Sequence, residues 1–347
     1  MKLTRYLYIL DEIKYTLITK LCRKDCDIEE CLFWGIEIFD SGFKTEFWNI
    51  IFEIYYNFYA IYYPKYEKKI NNLVKKNNLE SALSAIYLLF TTSKHSFQVF
   101  NLFIKKPLSI NKVYIRHKFP FLNTLNISKK FHNFVLSIHK NNMHNISYYL
   151  NTTVVYDDYI DNLYAAIKEY FQKVKNLKLQ NKTLNSISYK NKKHILMTLI
   201  VYLNENEENI NKRKIFRRFD YEKFKPFVDS TRQIITPLYK TLKVTPLYCI
   251  SSKIGCFPLK RNKYKNIKDE IRYHWEYHSF GTPLWRERFD KYGGYINKNK
   301  KQVDFNDDEK REEFYEKYNY EFDEQSIDIQ NLIAPEIPQS SFEDWFK

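Results

Sequence analysis

The sequence predicts a mainly α-helical protein of stacked helical hairpins, either HEAT-like or an irregular helical bundle. A short extended or hairpin insertion and an acidic C-terminal extension complete the predicted fold class. Three observations predict it. Apolar side chains recur at three- and four-residue spacing, the period of one helix face. Gly and Pro stops cut these periodic stretches to hairpin length. A faint repeat also recurs at an offset of about 50 residues, near the length of a long helical-hairpin unit.

Leu3, Leu7, Leu10, Ile13, Leu17 and Leu21 define the first helical face. A second helix fits Asp27 to Phe39, with Asp27 as N-cap and Glu30 in capping-box position. It stops at Ser41-Gly42, where glycine supplies the left-handed conformation of a C-cap. A third runs from Thr45 to Tyr62 and ends before Pro64, because the residue preceding proline is driven out of the helical region. Pro64 suits the first turn of a fourth helix, which reaches Lys76. The repeat relates the stretch from Cys31 to Phe47 to that from Ala82 to Phe97. Pro107 and Pro120 bracket Val113-Tyr114-Ile115, an extended segment or a crossing loop. Helices resume at Ser128–Lys140, Asn142–Leu150 and Asp157–Leu177, and again at His194–Leu203 and within Asn211–Leu242. A turn-rich stretch from Thr245 to Pro258 admits a small hairpin. Lys263–His278 and Leu284–Tyr292 are helical, the latter closed by Gly293-Gly294, and a last helix fits Asp307–Tyr318.

These elements divide into an N-terminal helical-hairpin domain (1–106), a second helical block (107–177) and a linker or loop (178–193). A basic helical domain (194–302) and an acidic aromatic tail (303–347) follow. The chain's 347 residues carry 30 Tyr, 27 Phe and 5 Trp in a 44% hydrophobic composition, far too apolar for a disordered chain. No run of about 18 apolar residues occurs, and the first residues are too polar for a signal-peptide core, so an intracellular protein without a membrane span is expected. Five cysteines without extracellular context are expected to be reduced.

Charge is divided unevenly. Residues 303–347 hold fourteen acidic and four basic residues, leaving a formal +25 of the net +15 chain on residues 1–302. Abundant Lys and Asn are what AT-rich coding DNA produces, which accounts for part of that excess. The Arg-containing clusters are more informative. Lys212, Arg213, Lys214, Arg217 and Arg218 interleave with Ile215, Phe216 and Phe219, and a second group comprises Lys260, Arg261, Lys263, Lys268 and Arg272. Cations neutralise phosphates and release counterions, while exposed rings stack on unpaired bases. These ten residues are the predicted contacts to RNA or single-stranded DNA. In the tail, Phe314, Tyr315, Tyr318, Phe322, Trp345 and Phe346 are the predicted anchors for a protein partner, with a strap over the chain's own body as the alternative.

Catalytic chemistry finds little support. With glycine only at 35, 42, 255, 281, 293 and 294, neither a P-loop nor a Gly-x-Gly-x-x-Gly turn can be written. His274 and His278 share a helix face, but Glu276 falls about 200° around the helix from the first histidine, unlike the zincin arrangement. The spacings of Cys22, Cys26 and Cys31 are loose for a zinc knuckle, and all five cysteines read as buried small hydrophobes. No catalytic residue, metal, cofactor or small-molecule substrate is assigned. The expected function is that of a non-enzymatic scaffold.

Three segments together carry a resemblance: Phe33-Trp34-Gly35 through Ser41-Gly42-Phe43 with Tyr55–Ala60; Trp275–His278 through Thr282–Trp285; and Phe314-Tyr315 through Phe322–Ser326. They resemble an uncharacterised family of large nucleocytoplasmic DNA viruses. The resemblance implies no activity. It implies a role in viral gene expression or genome handling, in the host cytoplasm at a viral factory, or in the virion. The N-terminal half is also similar in style to the helical-hairpin domain of translation-initiation scaffolds, which leaves a protein-docking or virion-assembly scaffold as the alternative. Their docking motif, Tyr-x-x-x-x-Leu followed by an apolar residue, does not occur in this chain.

Overall fold

The computed structural model describes residues 1–104, 107–111, 129–152, 157–174, 191–204, 217–233, 267–318 and 326–328. The candidate extended segment at 113–115, the hairpin at 245–258 and most of the expected linker lie outside them. The fold is mainly α-helical. In the N-terminal part, α1 (Leu10–Arg23), α2 (Ile28–Asp40), α3 (Lys44–Ile54), α4 (Tyr66–Lys76) and α5 (Leu79–Phe90) follow in close succession. Gly42 stands at φ +86° directly after α2, the left-handed stop the sequence requires. Asn77 ends α4 in the same region, and Asn78 opens α5 by a reciprocal capping box with Ser81. Helices α2 and α5, the two segments related by the faint repeat, pack on each other. The site of contact is Gly35, where a Cβ would overlap the Ile86 side chain.

Two local expectations are corrected. The leucine face does not begin a helix at Leu3. Residues 1–9 form a closed loop in which Leu3 bridges Ile9 and Leu7 takes φ +59°. Leu3 and Leu7 are nonetheless fully buried, so the spacing reported burial rather than helix. Asp27 does occupy the N-cap position, but its carboxylate makes no capping hydrogen bond; Glu30 N–H instead meets the Asp27 carbonyl at 3.2 Å.

Tertiary bonds hold the N-terminal loop shut. Glu37 on α2 lies fully buried and accepts from Arg5 Nε (2.7 Å) with one carboxylate oxygen and from Tyr6 N–H (2.9 Å) with the other. Arg5 N–H donates to Ser41 Oγ (2.9 Å), and Arg5 Nη2 donates to the Thr231 carbonyl (3.1 Å) at the end of α11 (Tyr221–Arg232). Arg232 pairs with Asp40 at 2.7 Å, so α11 is pinned to the end of α2. Trp285 Nε1 donates to the Arg5 carbonyl (3.0 Å), and Leu3 N–H to the His278 carbonyl (3.1 Å). The first residues therefore join α2, α11, α12 (Ile267–Ser279) and α13 (Pro283–Lys291).

Helix α3 runs on into a π-helical turn, Tyr55–Tyr59, closed by Ala60 N–H on the Tyr55 carbonyl at 2.8 Å. The wider turn leaves the Tyr56 carbonyl to accept from Thr198 Oγ1 (3.2 Å) on α10 (Lys192–Asn204). One turn earlier on α10, His194 Nε2 donates to Asn57 Oδ1 at 2.9 Å, with both residues buried. Helices α6 (Gln98–Ile104), α7 (Lys129–His139), α8 (Met143–Thr152) and α9 (Asp157–Val174) pack around this junction. Near the C-terminal end an antiparallel hairpin joins β1 (Gly294–Asn297) to β2 (Gln302–Phe305), with α14 (Asp308–Tyr318) behind it. The hairpin spans the 302/303 position at which the basic body was expected to end.

Two outcomes follow from these buried groups. Glu37→Gln removes the nearer of the two carboxylates facing the buried Arg5 guanidinium (Asp40 lies 3.7 Å from Nη1) and is expected to cost up to about 3–5 kcal/mol, read from urea unfolding. Burial lowers the pKa of His194 from 6.5 to about 3. Below pH 6.5 the unfolded chain takes up a proton that the folded ring refuses until about pH 3, so this group's stabilising contribution is lost as pH falls. His194→Gln, which can still meet Asn57, is expected to flatten the stability–pH profile in that window by at most about 1.4 kcal/mol per unit. A variant with the wild-type slope would remove His194 from the account of acid unfolding.

Candidate nucleic-acid interface

Of the predicted phosphate contacts, Lys212, Arg213, Lys214, Lys260, Arg261 and Lys263 lie outside the described residues. Arg217 and Arg218 are exposed immediately before α11. Their position is set by Phe219, which stacks on Phe224 (5.3 Å) and lies 5.4 Å from Tyr87 on α5. Lys268 is on the first turn of α12. Arg272, half-buried one turn later, places its guanidinium 5.5 Å from the Tyr273 ring, and Tyr273 itself is 61% exposed.

The structure decides between the two readings of the described tail residues. Of these readings, partner anchor or strap over the chain's own body, Phe314, Tyr315 and Tyr318 take the second and face the body. Phe314 is fully buried, stacked on Phe289 at 5.0 Å and flanked by Tyr292, Phe305 and Tyr318. Tyr318 is buried beneath the Arg288 guanidinium, 4.2 Å from its ring centre. Tyr315 hydroxyl donates to Glu276 Oε1 at 2.6 Å. Burial raises the Glu276 pKa to about 7, and the bond from Tyr315 opposes that rise. The period-3.6 pattern of α14 therefore marks a strap over α13 and the hairpin. Phe322, Trp345 and Phe346 lie outside the described residues.

The two helix-face histidines point to separate partners. Helix α12 breaks its regular geometry at His274 (φ −137°), whose Nδ1 donates to the Lys301 carbonyl at 2.8 Å in the hairpin turn. His278 Nε2 lies 2.8 Å from Glu270. Among the described residues, no group of three or more His, Cys, Asp or Glu side chains could hold a metal ion.

Among the described residues, one run of exposed lysines is a basic surface the sequence reading passed over. Helix α4 turns Tyr66, Glu67 and Ile70 inward. Lys65, just before the helix, and Lys68, Lys75 and Lys76 on it are exposed. Positions 65, 68/69, 72 and 75/76 return once per helical turn, so the four ammonium groups form a row down one face, with Asn72 between them. None of the four makes an ion pair among the described residues. Lys69, on the shoulder of the row, has its pKa lowered by burial. The signal was legible as lysine at helical spacing with asparagine filling the gap. It was obscured because lysine is common everywhere in this chain.

A second group occupies the hairpin turn, where Lys298, Lys300 and Lys301 are exposed. These charges are partly answered: Lys301 lies 3.6 Å from Glu270, and Lys300 4.0 Å from Asp304. Tyr295, 49% exposed on β1, stands beside this turn. Comparison with known protein families, curated proteins and solved structures yields no match to this chain.

Removing the α14 anchor tests the strap. Phe314→Ala is expected to destabilise the protein by about 3–5 kcal/mol in urea unfolding, the cost of emptying a buried phenyl site. A loss near zero would return Phe314 to the surface.

Proposed function

We propose that the protein is a non-enzymatic helical scaffold that binds RNA or single-stranded DNA, with the lysine row of α4 as its principal phosphate contact. The row carries this reading because its four ammonium groups are exposed and have no carboxylate within ion-pair distance among the described residues. Unpaired cations on a surface hold anions of their own, and a polyanion that displaces them gains the entropy of the released ions. The Arg217–Arg218 pair adds guanidinium groups on a segment whose Phe219 packs on α5, the partner of α4 in a helical hairpin. Exposed Tyr273 and Tyr295 supply rings on which unpaired bases can stack. The hairpin lysines contribute less, since Asp304 and Glu270 compete for them.

The test is binding of a fluorescent oligouridylate or oligothymidylate, measured by anisotropy over a series of salt concentrations. Each phosphate contact to a single strand contributes about −0.7 to the slope of log affinity against log salt. Replacing Lys65, Lys68, Lys75 and Lys76 together by Gln is therefore expected to shallow the slope by about 3 and weaken binding at low salt. These side chains are exposed, so folding should be unaffected. An unchanged slope would remove α4 from the interface. Absence of binding by the unmodified chain at low salt would overturn the function itself.

A further inference from the structure

Three cysteines gather where α1 meets α2, and their environments differ. Cys22, on the last turn of α1, is buried, and burial pushes its thiol far above the ordinary range. Cys31, on the second turn of α2, is also fully buried. Cys26 lies between the helices, in the short non-helical stretch before Ile28, and is partly exposed. Its sulfur sits 3.7 Å from that of Cys31. We propose that Cys26 and Cys31 are a dithiol modification site, converted to a disulfide by a hydroperoxide.

The geometry favours this pair over any other among the described cysteines. A disulfide needs sulfurs about 2.05 Å apart, so each must move by less than about 1 Å. Cys26 can supply that movement because no helical hydrogen-bond ladder holds its backbone. Exposure decides the order of events. The oxidant reaches Cys26, the partly exposed thiol of the pair. Cys31 remains a thiol while Cys26 is reduced, because its contact with Cys26 and its burial both raise its pKa.

The steps balance without any other reagent. Cys26 thiolate attacks one peroxide oxygen and the O–O bond breaks. Cys26 becomes a sulfenic acid, and the departing hydroxide takes the proton that the thiol released. Cys31 sulfur then attacks the Cys26 sulfur, the S–O bond breaks, and the leaving hydroxide takes the Cys31 proton. Two thiols lose two electrons, and one hydroperoxide is reduced, giving two waters when the oxidant is hydrogen peroxide. The link closes a loop of six residues, Cys26 to Cys31, across the start of α2. It therefore ties the connection between α1 and α2 to the helix that carries Glu37.

Peptide mapping of the full chain tests the assignment. The protein is treated with hydrogen peroxide, alkylated and cut with trypsin, which releases both cysteines on the single peptide Asp25–Lys44. The expected product is two hydrogens lighter than the reduced peptide, alkylated at neither cysteine, and restored by dithiothreitol. In Cys31→Ser, dimedone is expected to trap Cys26 as its sulfenic acid, since the resolving thiol is gone. Three results would overturn the proposal: both cysteines still alkylated after treatment, Cys26 carried to the sulfinic or sulfonic state with Cys31 free, or a link from Cys26 to Cys22, Cys249 or Cys256.

Discussion

The contact between Arg5 and Glu37 is the constraint on which the rest of the architecture depends. Both side chains are taken almost wholly out of water, a step costing several kcal/mol per ion before any attraction is counted. The expense is offset only because nearly every polar atom of the pair is used. Glu37 accepts from Arg5 and from the Tyr6 amide, while Arg5 reaches Glu37, Asp40 and the Thr231 carbonyl. Such a site does not tolerate partial formation. If α11 were displaced, Arg5 would lose a carbonyl; if α2 shifted, the loop would lose its counter-charge. The ion pair thus acts less as glue than as a condition that several elements must meet together, among them α2, α11 and, through Trp285 and the Arg5 carbonyl, α13.

Aromatic packing supplies the apolar part of the same logic. With only 6 Gly in the chain, close backbone approaches are few, and Gly35 against Ile86 is where one is used. Elsewhere large rings fill the space between helices. Trp275, Trp285, Phe289 and Phe314 form a continuous series with edge-to-face and stacked contacts at 4.9–6.2 Å. Aromatic pairs at these separations add about 0.5–1.5 kcal/mol beyond burial of their area. They also demand orientation as well as proximity. That demand explains why α14, although mostly acidic on its surface, is held by Phe314 and Tyr318 against the hairpin and α13.

Much of the fold was legible in the sequence because its signals were local. Gly42, Pro64 and the cap at Asn78 act within a turn of their own positions, and helix ends lie near them. What was misread depended on partners far along the chain. Leu3 and Leu7 match a helical face, yet the backbone closes on itself because Glu37, 30 or more residues away, captures its amide and guanidinium donors. The π-helical turn likewise answers to α10, whose Thr198 uses the Tyr56 carbonyl. Tail aromatics illustrate the same limit: composition shows that Phe314 wants burial, but only the hairpin at 294–305 shows against what. Among the basic residues, Arg-containing clusters stand out in the sequence, while the α4 row is hidden in a general excess of lysine.

That excess raises the question of whether the α4 row is more than mutational drift, and charge segregation bears on it. Drift toward lysine would load every outward face alike. The exposed face of α4 holds lysines and asparagines without acid, whereas α14 exposes Asp308, Glu309, Glu312, Glu313 and Glu316 together with Lys310, Arg311 and Lys317. The α4 face is purely cationic, while α14 mixes both signs with an acidic excess. Distance reinforces the argument. The row from Lys65 to Lys76 extends over about 16 Å of helix axis as two pairs, Lys65/Lys68 and Lys75/Lys76, each spaced along the axis by less than the Debye length of about 8 Å at physiological salt. Their repulsion is not screened away, and without an anion it is a standing cost to the folded state. Four like charges kept in that register, with no carboxylate recruited to relieve them among the described residues, are the physical basis of the proposed phosphate contact.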